Sequence, residues 1–269
     1  MCKDCGCGID PNLHSHGGYA HSHEGPKEHT HPDAHEHPHV HEHPHASAAP
    51  AESETRTVEL QQKILSRNDE QAEKNRAWLK AHGVTAVNLI SSPGAGKTYL
   101  LERTLEGLRG RVPCAVITGD LRTDNDARRL QGKGAPVRQI ETINACHLNA
   151  EQVGRLLPEI ADHGIRLLFI ENVGNLVCPS AFDLGENFKI ALLSTTEGED
   201  KPVKYPTLFS SAPVAVLTKM DLAEHLDWSV AACRSALRQV RPGVFIFELS
   251  AKTGLGMDAW LDYLVKLTE

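Results

Sequence analysis

Ser91-Ser92-Pro93-Gly94-Ala95-Gly96-Lys97-Thr98 follows an apolar run and opens an amphipathic stretch. A glycine-rich turn that leaves a strand and starts a helix points backbone N–H groups and the positive helix end at one place, which suits phosphate. Ser91 stands where the usual pattern has its first glycine, but Gly94, Gly96, Lys97 and Thr98 keep the pattern in its strand-to-helix context. The bland alternative is a tight glycine turn with no ligand.

Around this loop, short apolar runs alternate with amphipathic stretches, the pattern of a βαβ succession. The fold class expected is α/β: a P-loop NTPase with a mainly parallel sheet of about seven strands flanked by helices. Strands are expected near 84–90, 113–118, 137–140, 166–170, 188–193, 214–217 and 244–248, and helices near 97–108, 124–131, 150–161, 228–240 and 257–267. Upstream, Val58, Leu60, Ile64, Leu65, Ala72, Ala77, Trp78 and Leu79 give a loose helical pattern that His82-Gly83 would end. The chain divides into a leader (1–50), a helical segment (51–83) and a nucleotide domain (84–269).

Three of the seven cysteines and twelve of the sixteen histidines lie in the leader. It has too little apolar surface to offset the cost of ordering, so it is expected to be disordered without metal. Seven acidic residues against Lys3 and Lys27 give it most of the net charge of −7. The remainder is nearly balanced and carries no basic stripe, which argues against a nucleic-acid partner. No run approaches the roughly 18 to 20 apolar residues of a membrane span, and no apolar signal-peptide core opens the chain. A cytoplasmic protein is expected, in which closely spaced thiols are metal ligands rather than disulfides.

The nucleotide site draws on several segments. Gly94, Ala95, Gly96, Lys97, Thr98 and Tyr99 form the phosphate-binding set, with Lys97 against the terminal phosphates and the Thr98 hydroxyl offered to magnesium. Thr218-Lys219-Met220-Asp221 follows an apolar strand, and the Asp221 carboxylate can accept from both N1–H and the 2-amino group of guanine, a donor pair adenine lacks. Taken alone, Asp221 could instead be a helix N-terminal carboxylate. Ser250-Ala251-Lys252 follows the next strand and is similar to the loop that braces the base in many GTPases. Asp120 and Glu171 stand at strand ends, where one would hold metal and the other align water; the residue types do not say which does which. Asp124 is as well suited to capping a helix. No arginine finger is legible beyond Arg122 as a guess, so slow intrinsic hydrolysis is expected.

At this point the chain resembles the HypB family of hydrogenase nickel-incorporation GTPases. The resemblance rests on Cys2-x-x-Cys5-Gly6-Cys7, the histidine-rich leader, the phosphate loop, Gly119-Asp120-x-x-Thr123-x-x-Asp126-Ala127, Cys146-His147-Leu148, Glu171-Asn172-Val173-Gly174-Asn175-Leu176-Val177-Cys178-Pro179 and Thr218-Lys219-Met220-Asp221. It implies a cytosolic metallochaperone that hydrolyses GTP to GDP and phosphate, with Mg2+, while delivering Ni2+ to the large subunit of a nickel-iron hydrogenase. It also implies a homodimer promoted by GTP and metal, and a HypA-type accessory partner.

Cys2, Cys5 and Cys7 put three thiolates within six residues, enough to bind one ion without help from a fold. Such a set takes Ni(II), Zn(II) or Cu(I); the resemblance, not ligand chemistry, selects nickel, with Zn2+ able to take the same sites. The leader imidazoles would form a reservoir of moderate affinity, against the alternatives of a solvated linker or an expression tag. Cys146 and His147 are adjacent and need further donors from elsewhere. Cys178 is the candidate, on the expectation that both loops leave neighbouring strand ends. Without the resemblance, a buried free cysteine beside a surface histidine is the plainer reading; with it, the three form a second metal site between subunits. Cys114, Cys233, His82, His163 and His225 receive no function. Two competing readings remain: a nickel storage protein with a regulatory nucleotide domain, and a related GTPase serving urease or a cobalamin enzyme.

Overall fold

The computed structural model describes residues 52–120, 125–142, 146–161 and 164–269. β1 (Thr85–Ser91) is buried at every residue but its first. A strand of this kind needs cover on both faces. Six more strands run parallel to it: β2 (Cys114–Asp120), β3 (Val137–Glu141), β4 (Leu167–Glu171), β5 (Phe188–Ser194), β6 (Val214–Thr218) and β7 (Phe245–Glu248), in the order β3-β2-β4-β1-β5-β6-β7. The phosphate-loop strand is therefore central, between β4 and β5, with Leu89 paired to Glu171 on one side and Ile190 on the other. Ligands of such sheets bind beyond the carboxyl ends of the strands, beside the point where the order reverses.

The longer helices are α1 (Glu52–Ala81), α2 (Lys97–Leu108), α4 (Ala150–Ala161), α8 (Val230–Val240) and α9 (Met257–Lys266); α3 (Asn125–Leu130), α5 (Cys178–Ala181), α6 (Lys201–Lys204) and α7 (Pro206–Ser211) are short. Residues alternate between the two faces of a strand. Val87, Leu89, Val116, Phe169, Leu192 and Val216 face a core completed by α2 and α9, where Trp260 donates to Thr104 Oγ1 at 2.9 Å. The other face carries two separate cores. One joins Ala86, Ile117 and Ile170 to Val153 and Leu157 of α4 and Leu79 of α1, and the other joins Ile90, Ala191 and Ala215 to Phe209 and Leu237. Asn88 falls between Ala86 and Ile90 on this face and is fully buried, so a polar seam separates two apolar cores.

The strands and long helices lie where the hydrophobic pattern puts them. β2 runs on to include Asp120, which ends the strand instead of following it. α5, α6, α7 and a 3-10 turn at Met220–His225 are additions to the expected elements. Among the described residues no helix is long and apolar enough to cross a membrane.

Candidate nucleotide and metal centre

The phosphate loop joins β1 to α2. Gly94 and Gly96 have φ of +75° and +92°, a region open to glycine and costly for other residues. Lys97 is buried, and its Nζ donates to Ser91 Oγ at 2.8 Å. The serine in place of the first glycine thus gives the lysine a hydroxyl partner. Thr98 Oγ1 donates to Glu171 Oε1 at 2.6 Å, so the magnesium candidate and one catalytic candidate are in direct contact. Thr118 pairs with Glu171 across β2 and β4, and its hydroxyl is buried with no hydrogen-bond partner among the described residues.

The segments expected to recognise the base close on the same loop. Thr218 Oγ1 donates to Ala95 O at 2.7 Å, and Lys219 Nζ donates to Gly94 O at 2.8 Å. Lys219 holds a left-handed φ of +58°, rare for a residue with a side chain. Asp221 is partly exposed in the 3-10 turn. Ser250 is buried and its hydroxyl accepts from Thr253 N; Ala251 is buried beside it and Lys252 is exposed. Tyr99 is exposed, with the Arg129 guanidinium 5.6 Å from its ring centre. Arg122, Asp124, Cys2, Cys5, Cys7, the leader histidines and His163 lie outside the described residues.

Cys146, His147 and Cys178 place their ligand atoms within 4.8 Å of one another, and Cys146 Sγ is 3.6 Å from His147 Nδ1. Ligand atoms around a tetrahedral zinc stand about 3.5 to 3.8 Å apart, as its bond lengths require, so a small closure suffices. Burial lowers the His147 pKa to about 4, which keeps the imidazole neutral and able to ligate near pH 7. Its ring packs on Phe182 at 3.8 Å between centroids. The burial is opposite to the plain expectation for the pair: the histidine is buried and Cys146 is half-exposed.

The strand geometry behind the triad also differs from expectation. The two loops leave β3 and β4, which are not neighbours, because β2 lies between them. The loop after β3 crosses back over β2, where Leu148 packs on Gly119 so closely that a Cβ there would come within 2.8 Å of it. Cys178 is the first residue of α5 rather than part of an open loop, and Lys189 Nζ donates to Ser180 O of that helix at 2.8 Å.

Several buried asparagines that sequence reasoning passed over support these loops. Asn68 on α1 accepts from Ala150 N and donates to Asp183 O, while Asn75 donates to Ala150 O and Leu184 O. Asn172 accepts from Leu148 N and Val173 N. An asparagine in a helical or strand-end pattern carries no sign of such partners, which are remote in sequence. The one signal available was the run Glu171-Asn172-Val173-Gly174, polar and glycine-bearing directly after a buried strand.

The family model for the CobW/HypB/UreG nucleotide-binding domain matches residues 85–248. Hydrogenase maturation factor HypB of Azotobacter vinelandii is 50% identical over 216 residues, which cover 80% of this chain and 71% of that protein. The crystal structure of hydrogenase maturation factor HypB from Archaeoglobus fulgidus is similar at a TM-score of 0.72 and 38% identity, covering 76% of this chain and 100% of that one. That of HypB from Helicobacter pylori, in complex with nickel, is similar at a TM-score of 0.71 and 36% identity, covering 75% and 95%. With a phosphate loop, a nucleotide-domain match across all seven strands of the sheet and these relatives, the chain belongs to the HypB family of hydrogenase maturation factors.

Proposed function

We propose that this chain is a nickel metallochaperone that hydrolyses GTP and couples hydrolysis to nickel insertion into the large subunit of a nickel-iron hydrogenase. The observation that carries the reading is spatial: Cys146, His147 and Cys178 converge on one point, and Cys178 lies just downstream of Glu171, which touches Thr98 of the phosphate loop. Metal and nucleotide would thus share one segment of chain. The nickel in the Helicobacter pylori relative supports the choice of metal.

The residues fit magnesium, since Thr98 and Glu171 are in contact and the partnerless Thr118 hydroxyl is buried beside them. Thr98 with Asp120 or Glu171 would hold magnesium, which would supply charge neutralisation at the phosphates. The phosphate-loop N–H groups and Lys97 would bind the phosphate oxygens and stabilise the charge that grows on them as water attacks the γ-phosphorus and its bond to the bridging oxygen of the departing GDP breaks. The carboxylate not used for metal aligns the attacking water. Asp221 accepts from the guanine edge, and Ser250, Ala251 and Lys252 brace the base. Nickel is the cargo, held by two thiolates and a neutral imidazole, a donor set equally acceptable to zinc. Three protein donors leave a coordination position for a second copy of the chain or for the acceptor. A homodimer promoted by GTP and metal, a HypA-type accessory protein and a cytoplasmic location complete the proposal, with 1–50 as the metal-collecting leader, 51–83 as the helical segment and 84–269 as the GTPase domain.

Hydrolysis of GTP and ATP, measured with and without nickel and zinc on the full chain and on Cys146→Ala, tests this. GTP should be the preferred substrate, the metals should alter its hydrolysis only in the parent chain, and Cys146→Ala should slow nickel delivery while its metal-free rate stays within about twofold. Unchanged metal stoichiometry and unchanged hydrogenase activation in Cys146→Ala would sink the proposal, and equal use of ATP would sink the base assignment.

A further inference from the structure

Asn172 is 1% exposed and uses both ends of its side-chain amide. Oδ1 accepts from Leu148 N at 3.1 Å and from Val173 N at 3.0 Å. Leu148 follows His147 directly, and Val173 begins the segment that leads to Cys178. One oxygen therefore holds both metal-bearing loops. Nδ2 donates to Asn88 Oδ1 at 3.3 Å, and Asn88 Nδ2 donates in turn to Glu186 Oε1 at 3.1 Å. The backbone is fixed as well, since Asn172 N donates to Leu89 O of β1 at 3.1 Å.

The same short segment meets the phosphate loop on both sides of Asn172. Glu171 accepts from Thr98 Oγ1, and Gly174 lies against Pro93 so tightly that a Cβ would come within 2.9 Å of Pro93 Cα. Nucleotide phosphates and magnesium bound at this loop would compete with Glu171 for Thr98, so their arrival would act on residues 171 to 174. A buried amide oxygen with two N–H partners transmits such a shift, because letting go of either leaves a polar group unsatisfied away from water. A displaced segment would carry this oxygen with it, and Leu148 N is bound to the same oxygen.

We propose that Asn172 is the positioning residue through which nucleotide occupancy sets the geometry of the Cys146, His147 and Cys178 centre. The inference rests on the metal and GTP sites proposed above, and adds the group that joins them. Coupling between two ligands requires that one contact differ between their states, and it is reciprocal in binding free energy.

The test is nickel titration of the full chain with GDP and with a non-hydrolysable GTP analogue plus magnesium, read by thiolate-to-nickel absorption against a Cys146→Ala blank. In the parent chain the two affinities should differ by about 5- to 150-fold, the usual span of such coupling. In Asn172→Ala that ratio should fall to near one while GTP analogue affinity stays within about threefold. Asn172→Asp keeps an oxygen for Leu148 and Val173 and should recover most of the ratio. Amide hydrogen exchange of the parent chain gives a second reading that needs no variant: protection at Leu148 and Val173 should change together on exchange of GDP for the analogue. A parent ratio above fivefold that survives in Asn172→Ala, or a change at Val173 with none at Leu148, overturns the role of Asn172 alone. A parent ratio of one overturns the nucleotide-responsive metal centre as well.

Discussion

Cys114 and Cys233 are buried, and burial raises both thiols to about 12, with Glu199 and Glu248 adding to the effect at Cys233. Cys146 is half-exposed beside His147. The thiolate is the reacting form, so a thiol near 12 presents roughly one part in ten thousand of it at pH 8. Maleimide at pH 8 should therefore label Cys146 in the folded chain and leave Cys114 and Cys233 unlabelled until denaturant is added, and nickel should slow labelling of Cys146. Peptide mass mapping checks all three positions at once. Rapid native labelling of Cys114 would mean that β2 opens near its start.

α1 reaches across to the segments that follow both loops of the candidate metal centre, through Asn68 and Asn75 and through an ion pair of Arg76 with Asp183 at 2.6 Å. Burial pushes the Asp183 carboxyl up, but the Arg76 guanidinium and the Gly185 N–H together bring it below its ordinary value. A carboxylate depressed in the folded state adds stability that is present above its unfolded pKa and is lost as pH falls through the folded one. Arg76→Met should then cost about 0.2 to 1 kcal/mol at pH 7, the scale of a half-exposed pair, and the deficit should shrink below about pH 4. Urea melts of both chains at the two pH values measure this, and a deficit that does not change with pH would assign the loss to packing instead. The helix itself was legible because its apolar residues recur at helical spacing; its asparagine contacts were not, because Asn75 and Leu184 are 109 residues apart. α5, α6 and α7 escaped pattern reading for a different reason. Four to six residues are too few to show a period, and only a proline in the first turn of each marks them.

At the scale of the whole molecule, the alternation of apolar runs and amphipathic stretches was enough to foretell a parallel sheet, and the phosphate loop to foretell its use. The pattern could not give the strand order, which is decided by tertiary packing, and so the place of β2 between β3 and β4 came only with the structure. Order matters here because every candidate on the body converges on the carboxyl ends of the strands, whereas Cys2, Cys5, Cys7 and the twelve leader histidines belong to a segment whose composition calls for no core. The proposed metal-collecting leader and the proposed nucleotide-responsive centre can therefore be separated by deletion. Removing residues 9–48 takes out every leader histidine and leaves Cys2, Cys5 and Cys7. Nickel bound per chain should drop to the few ions that thiolate sites can hold, while GTP hydrolysis, thermal midpoint and hydrogenase maturation at ample nickel stay near those of the full chain. Equilibrium dialysis gives the stoichiometry and a hydrogenase activation assay gives the delivery. Loss of maturation at ample nickel would instead make the leader part of the delivery path, and would shift weight to the storage reading, in which the nucleotide domain regulates what the leader holds.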